Sequence, residues 1–314
     1  MKILIAGASG LIGHHLVQAL RTNHDITVLG RDAALLEKTF PQGSKICTWD
    51  SLENLDAKTY DAVINLCGHN IGASRWNSKI KTELIKSRVK TSTKLIDWAS
   101  KQGAKPHFYC ANAIGIYGMQ QNGDPQAFDE DSPINFANPP DFLSEIGVRW
   151  QQAMQPAIDQ GMPVTITRFG VALKKGEGML KKLSPSFYFG LGAVIGDGKQ
   201  ILSWVHIEDI VAAYSFLLAN PKLEGAFNLC APLPVSQAQF AHSLAKAMHR
   251  PLFMKMPAFV VSKLFGEMGE CLLLKGQRVV PKRLVDAGFQ FRYPDIASAL
   301  EHEYHVGLPP GPSS

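Results

Sequence analysis

The stretch that decides the fold is Met1-Lys2-Ile3-Leu4-Ile5-Ala6-Gly7-Ala8-Ser9-Gly10-Leu11-Ile12-Gly13-His14-His15-Leu16. Ile3 to Ala6 is a short apolar run of the kind that forms a fully buried parallel strand. It runs into three glycines, Gly7, Gly10 and Gly13, spaced three apart. Leu11, Ile12, Leu16, Val17, Ala19 and Leu20 then recur as on a helix. Strand, glycine turn and helix N-terminus together make an anion site, because unpaired backbone N–H groups and the positive end of the helix dipole face the same point. Gly7 suits the tight turn, Gly10 lets phosphates approach, and Gly13 lets helix and strand pack closely. A glycine triplet alone is weak evidence. In this setting it predicts a dinucleotide turn spanning Gly7, Ser9, Gly10, Leu11, Ile12 and Gly13, against the alternative of a glycine-rich turn without a ligand.

Outward from that turn, apolar strands alternate with helical patterns. Strands are expected at Ile26–Leu29, Ile46–Trp49, Ala62–Leu66, Phe108–Ala111 and Val164–Thr167, with a last one at Phe227–Leu229. Ile80, Leu84, Ile85, Val89, Leu95, Ile96 and Ala99 predict a long helix over 79–102, and another is expected over 142–160. Such alternation implies an α/β fold with a doubly wound parallel sheet and right-handed crossovers. After Gly170 the chain becomes loop-rich, and helical patterns return at 209–219, after the Ser236/Gln239 capping box, and at 295–303. The expected division is a Rossmann domain at 1–172, completed by 203–229, and a smaller, mainly helical substrate region from 173–202 and 230–306. The tail 307–314 is expected to be mobile.

Bulk properties exclude several classes. Of 314 residues, 46% are hydrophobic and 19% charged, and the net charge is +5, which suits an anionic small ligand and gives no reason to invoke nucleic acid. No apolar run is long enough to span a bilayer, and the first strand begins at once, so neither membrane nor secretory leader is expected. The five cysteines, Cys47, Cys67, Cys110, Cys230 and Cys271, are scattered and contain no C-x-x-C. They read as thiols in a reducing, cytoplasmic setting, with no metal site.

In dinucleotide folds an acid ending the second strand binds the adenosine ribose and selects NAD. Here that strand ends Val28-Leu29-Gly30-Arg31, so a glycine holds the acid position and a cation follows. A guanidinium can grip a 2′-phosphate, which favours NADP over NAD. The alternative for Arg31 is a solvated loop residue, and Asp32 could reach a ribose instead. Asp50, after the third strand, could touch the adenine or simply serve a turn.

Gly7, Gly10 and Gly13 with Asn65-Leu66-Cys67-Gly68 and Ala113-Ile114-Gly115-Ile116-Tyr117-Gly118 resemble the extended short-chain dehydrogenase/reductase superfamily. Ser74-Arg75-Trp76, Ser87-Arg88-Val89, Thr167-Arg168-Phe169-Gly170-Val171, Gly190-Leu191-Gly192, Trp204-Val205-His206-Ile207-Glu208-Asp209 and Phe227-Asn228-Leu229 make the chain similar to an atypical branch, the nucleoside-diphosphate-sugar epimerase family with cell-division-inhibitor-like members. Gly276 to Leu284 with Ala287-Gly288-Phe289 resembles that branch's C-terminal domain of unknown function. The likeness covers nearly the whole chain. It implies an NADP-binding oxidoreductase or epimerase acting on a small molecule, with a nucleotide sugar as one candidate. It also implies cofactor contacts at Leu66, Cys67 and Gly68, and a homodimer face on the helices flanking strand five.

Superfamily members use a Tyr-x-x-x-Lys pair on the helix after strand five. None of the seven tyrosines here has a lysine four residues on. By register Phe142 and Ile146 stand in the pair's place, and Asn112 holds the usual Ser/Thr position. Positioned acid–base groups contribute roughly 10²–10⁴ in rate. Their loss leaves two readings: an oxidoreductase or epimerase with unusual catalytic residues, or a non-catalytic NADP(H) sensor. Tyr117 could donate a proton and Asn112 could polarise a carbonyl; each could instead be structural. The same choice applies to His206. Arg88 and Arg168 are candidates for cofactor phosphate or a substrate anion, with ion pairing as the alternative. The basic run Lys275, Arg278, Lys282 and Arg283 suits a phosphate or a solvated face, and Trp76 could line the substrate mouth or pack its loop.

Overall fold

A computed structural model describes residues 1–40 and 44–305. The first half lays down β1 (Lys2–Ala6), α1 (Leu11–Leu20), β2 (Asp25–Gly30), α2 (Ala33–Thr39), β3 (Ser44–Thr48), β4 (Ala62–Asn65), α3 (Ser78–Lys101) and β5 (His107–Ala113). It continues with α4 (Phe142–Gln152), α5 (Gln155–Asp159), β6 (Val164–Phe169), β7 (Val171–Leu173), α6 (Gly178–Tyr188), β8 (Ala193–Ile195), β9 (Ile201–Leu202), β10 (Trp204–His206), α7 (Ile207–Ala219) and β11 (Gly225–Leu229). β12 (Val235–Ser236), α8 (Gln237–Ala247), β13 (Met254–Met256), α9 (Ala258–Gly269), α10 (Lys282–Asp286) and α11 (Ile296–His305) complete it.

The central sheet has seven parallel strands in the order β11-β6-β5-β4-β1-β2-β3. Helices cover both faces, which is why Ile3, Leu4 and Ile5 are fully buried although they alternate in direction. One core packs Leu16, Val17, Ile210 and Tyr214 from α1 and α7 against Ile3 and Ile5. The opposite core sets Leu95, Trp98 and Ala99 of α3 against Leu4, Val63 and Phe108. The strand order reverses between β1 and β4, and this switch point opens a crevice at the carboxyl edge.

A third core, with Leu180, Phe187, Phe240, Leu244 and Leu300, belongs to the region after β6. Its small sheets pair β7 with β10, β9 with β12 and β8 with β13. The expected helix over 142–160 is two helices, since Pro156 enters the first turn of α5 after a break at Ala153 and Met154. The stretch expected to be loop-rich contains α6 and the four short strands β7 to β10. The predicted tail 307–314 lies outside the described residues. No helix of the described residues is long and apolar enough to cross a membrane.

Candidate cofactor and substrate cleft

The crevice has two compartments. The first, of about 530 Å³, lies over the glycine turn and is walled by Gly7, Ser9, Gly10, Arg31, Leu66, Cys67 and Gly68, with Trp49 and one face of α3. Gly7 takes φ +82°, a left-handed conformation, and a Cβ there would stand 2.8 Å from the Leu66 carbonyl carbon. At Gly13 a Cβ would stand 2.5 Å from the Gly7 oxygen, so this glycine sets how closely α1 approaches β1. Gly10 caps α1 without a side-chain bond, which leaves first-turn N–H groups free for an anion. The cradle therefore fits a dinucleotide pyrophosphate. Leu11 and Ile12 pack onto the core and are not part of the cavity wall.

Arg31 also lines this compartment, exposed, with no hydrogen bond or ion pair among the described residues. Asp32 is taken up by capping α2, its Oδ1 accepting the Leu35 N–H at 3.1 Å. A Cβ on Gly30 would meet Leu36 at 2.9 Å, so an acid there needs Leu36 to give way. Asp50 is exposed and outside the wall, where its neighbour Trp49 stands instead. Lys86 and Lys90, four apart on α3, add two cations that the sequence reading did not single out, although their spacing puts them on one helix face.

The second compartment, of about 280 Å³, lies beyond Gly68. Ala113, Phe169 and Gly170 wall it from the strand ends; Leu143, Ile146, Gly147 and Trp150 from α4; and Leu202, Leu272, Lys275 and Gln277 from the C-terminal region. Phe142 faces elsewhere, with its ring 5.0 Å from that of Trp76. Trp76 Nε1 donates to the Ile71 carbonyl, so Trp76 packs its own loop.

Arg88 separates the compartments. Its Nη1 donates to Leu84 O at 2.8 Å and its Nη2 to His69 O at 3.1 Å, while the guanidinium lies 4.8 Å over the Trp150 ring. Burial pulls its pKa down to about 10, so it still carries its charge at neutral pH. Gly68 leaves room for it, since a Cβ there would stand 3.0 Å from Arg88 Cζ.

The structure brings Tyr117, Asn112 and Arg168 together below this cavity, and none of them walls either compartment. The Tyr117 hydroxyl donates to Asn228 Oδ1 at 2.9 Å and accepts from Arg168 Nη1 at 2.7 Å. Burial raises the Tyr117 phenol, and Arg168 opposes that shift. Arg168 Nη2 donates to Gln151 Oε1 at 3.0 Å. Asn112 spends Nδ2 on Gly147 O and Oδ1 on the Ala113 N–H. This geometry corresponds to the structural alternative for all three. His206 is equally committed, with Nε2 2.8 Å from Glu303 and Nδ1 accepting the Glu208 N–H.

The glycine cradle, the seven-strand order and the C-terminal region coincide with what comparison finds. Residues 3–230 match the NAD dependent epimerase/dehydratase family, and 256–303 match a domain of unknown function, DUF1731. The chain belongs to this epimerase/dehydratase family. An epimerase family protein of Mycobacterium tuberculosis is 37% identical over 299 residues, covering 95% of this chain and 96% of that one. Human SDR39U1, also an epimerase family protein, is 32% identical over 304 residues, covering 96% and 99%. The crystal structure of its isoform 2 with NADPH superposes with a TM-score of 0.86 at 30% identity, covering 98% of this chain and all of that one. A nucleoside-diphosphate sugar epimerase of Corynebacterium glutamicum gives 0.75 at 28% identity, covering 98% of this chain and 58% of that one. The family resemblance and the fold expected from sequence both stand.

Proposed function

We propose that this family member binds NADP(H) in the first compartment and acts as an oxidoreductase or epimerase of the extended short-chain type without the Tyr-x-x-x-Lys pair. The observation that carries this reading is Arg31, a guanidinium on the wall of the glycine-turn compartment with no hydrogen bond or ion pair among the described residues, next to Gly30, which holds the place of an NAD-selecting acid. Gly7, Ser9 and Gly10 would hold the pyrophosphate, and Leu66, Cys67 and Gly68 would line its path toward the second compartment. The human relative solved with NADPH supports the same cofactor. When bound, the nicotinamide supplies hydride chemistry; the chain's part is to position it and exclude water around the reacting partner.

A second reading, a non-catalytic NADP(H)-sensing protein, is favoured by the apolar face that α4 turns to the cavity. A titration of the purified protein with NADPH and then NADH, followed by nicotinamide fluorescence, tests the cofactor assignment. Tight NADPH binding with much weaker NADH is expected; equal affinities would sink the role of Arg31. Turnover of any carbonyl or sugar-nucleotide substrate would then rule out the sensor.

The groove of about 660 Å³ between α3 and α4, where Ile85 and Val89 lie half-buried among Lys86, Lys90, Glu145 and Arg149, supports pairing of two copies through these helices. Sedimentation at micromolar concentration should show a dimer, and a monomer would rule this pairing out.

A further inference from the structure

The second compartment is poorly suited to a nucleotide sugar. Ile71, Met119, Leu143, Ile146, Leu202 and Leu272 dominate its walls, and no aspartate or glutamate lines it. Sugar hydroxyls need several convergent donors and acceptors, and few are available here. The Ser203 hydroxyl is occupied by the Gln277 carbonyl and the Val279 N–H. Gln277 leans on the Ile114 carbonyl. About 280 Å³ is also at the lower edge of the roughly 300–1,000 Å³ usual for ligand pockets.

Two donors on this wall lack partners. Arg88 is 9% exposed and Trp150 6%; their Nε and Nε1 atoms are closed off from solvent, and among the described residues neither has a hydrogen-bond partner. They sit together, guanidinium over indole. The other Arg88 bonds go only to neutral carbonyls, so among the described residues no carboxylate balances this buried cation. A buried charge without a counter-ion and an unpaired N–H are each costly, and both are relieved by an anionic acceptor. A cofactor phosphate is the less suitable source, because Arg88 and Trp150 wall the second compartment and not the one over the glycine turn.

We propose that the second compartment takes a small, largely apolar carboxylate as substrate, its carboxyl group parting the Arg88–Trp150 stack to take their two occluded N–H donors and its apolar body held by Leu143, Ile146, Leu202 and Leu272. This deepens the oxidoreductase reading, since the compartment adjoins the place proposed for the nicotinamide. Lys275, exposed at the rim, adds a second cation that favours entry of an anion.

Calorimetric titration with octanoate, octan-1-ol and UDP-glucose, on the free protein and on protein saturated with NADP+, tests it. Octanoate is expected to bind at least tenfold more tightly than octan-1-ol, with no detectable UDP-glucose binding. Arg88→Gln is expected to weaken octanoate by tenfold or more, as for a lost hydrogen bond to a charged group. Trp150→Phe keeps the aromatic face, removes one donor and is expected to cost about fivefold, with NADP+ affinity unchanged. It decides the matter should Arg88→Gln not fold. The proposal falls if the alcohol binds as well as the acid, if UDP-glucose binds more tightly than octanoate, if no probe binds, or if Arg88→Gln loses NADP+ and octanoate in equal measure. Failure of NADP+ to bind wild-type protein would overturn the cofactor reading instead, and octanoate binding to the free protein would still judge the cavity.

Discussion

At the scale of single residues, Arg31 and Tyr117 look equally exposed to functional interpretation in the sequence, yet their surroundings differ completely. Arg31 has no hydrogen bond or ion pair among the described residues and lines an open cavity. Arg31→Ala is therefore expected to lower NADPH affinity about ten- to a hundredfold while leaving NADH affinity within twofold, as read by parallel fluorescence titrations. Tyr117 is 8% exposed and is locked between Arg168, Asn228 and the parallel ring of Phe128. Tyr117→Phe removes one hydroxyl from two buried partners and is expected to cost about 1–3 kcal/mol of stability in urea unfolding. NADPH binding should survive it. A tenfold loss of NADPH affinity in the folded variant would instead put the phenol in the site.

At the scale of elements, Glu303 shows how α11 is held to β10 and to the chain that follows β7. Its carboxylate meets His206 at 2.8 Å and Lys174 at 2.9 Å and accepts the Lys175 N–H. Burial opposes its charge, but these bonds win and hold the carboxyl at about 2, below its ordinary 4.5. The stabilisation is complete above pH 4.5 and is lost as pH falls toward 2. Glu303→Gln should cost about 3 kcal/mol at pH 7, and the gap to wild type should narrow below pH 4.5 in denaturation series. His302 meets Glu208 beside this contact, so the cluster works as a tether between α11 and the start of α7. At α8, Ser236 accepts the Gln239 N–H and Gln239 accepts the Ser236 N–H. Ser236→Ala should lower the unfolding free energy by about 1 kcal/mol, measured by the same method.

The elements also show what was legible. β1, the glycine turn and α1 could be read directly, because period, glycine spacing and helix start all fall within sixteen residues. The capping box at Ser236 was equally local. What escaped was decided by contacts distant in sequence. The α6 helix has only Glu177 before it, without a side-chain cap, and is held by packing of Leu180 and Phe187. Trp150 has no sequence signal at all, since its importance comes from Arg88 on another helix. The roles of Tyr117 and Arg168 likewise turned on Asn228 and Gln151, 111 and 17 residues away respectively.

For the whole molecule, the crevice joins elements from both the sheet and the C-terminal region, so a ligand bound there must link their stabilities. NADPH at a hundred times its dissociation constant should add about 2.7 kcal/mol to the unfolding free energy. Thermal melts should show one transition moving upward with NADPH and much less with NADH at equal concentration. Two transitions with only the first moving would mean that the regions unfold separately.

The strand order has a consequence for how the chain emerges during synthesis. β1 stands inside the sheet, and β2 and then β3 extend one side of it while β4, β5, β6 and β11 extend the other. Every strand of the main sheet after β1 therefore leaves the ribosome when a neighbour already exists. The segment carrying β8 and β9 has no such template, because their partners β13 and β12 are made later. At roughly 5–20 residues per second, β8 waits several seconds before residues 254–256 are made. During that interval Tyr188, Phe189 and Leu191, which stay exposed even in the finished fold, lie beside an unpaired strand. This is the stretch where a nascent-chain chaperone has most reason to bind.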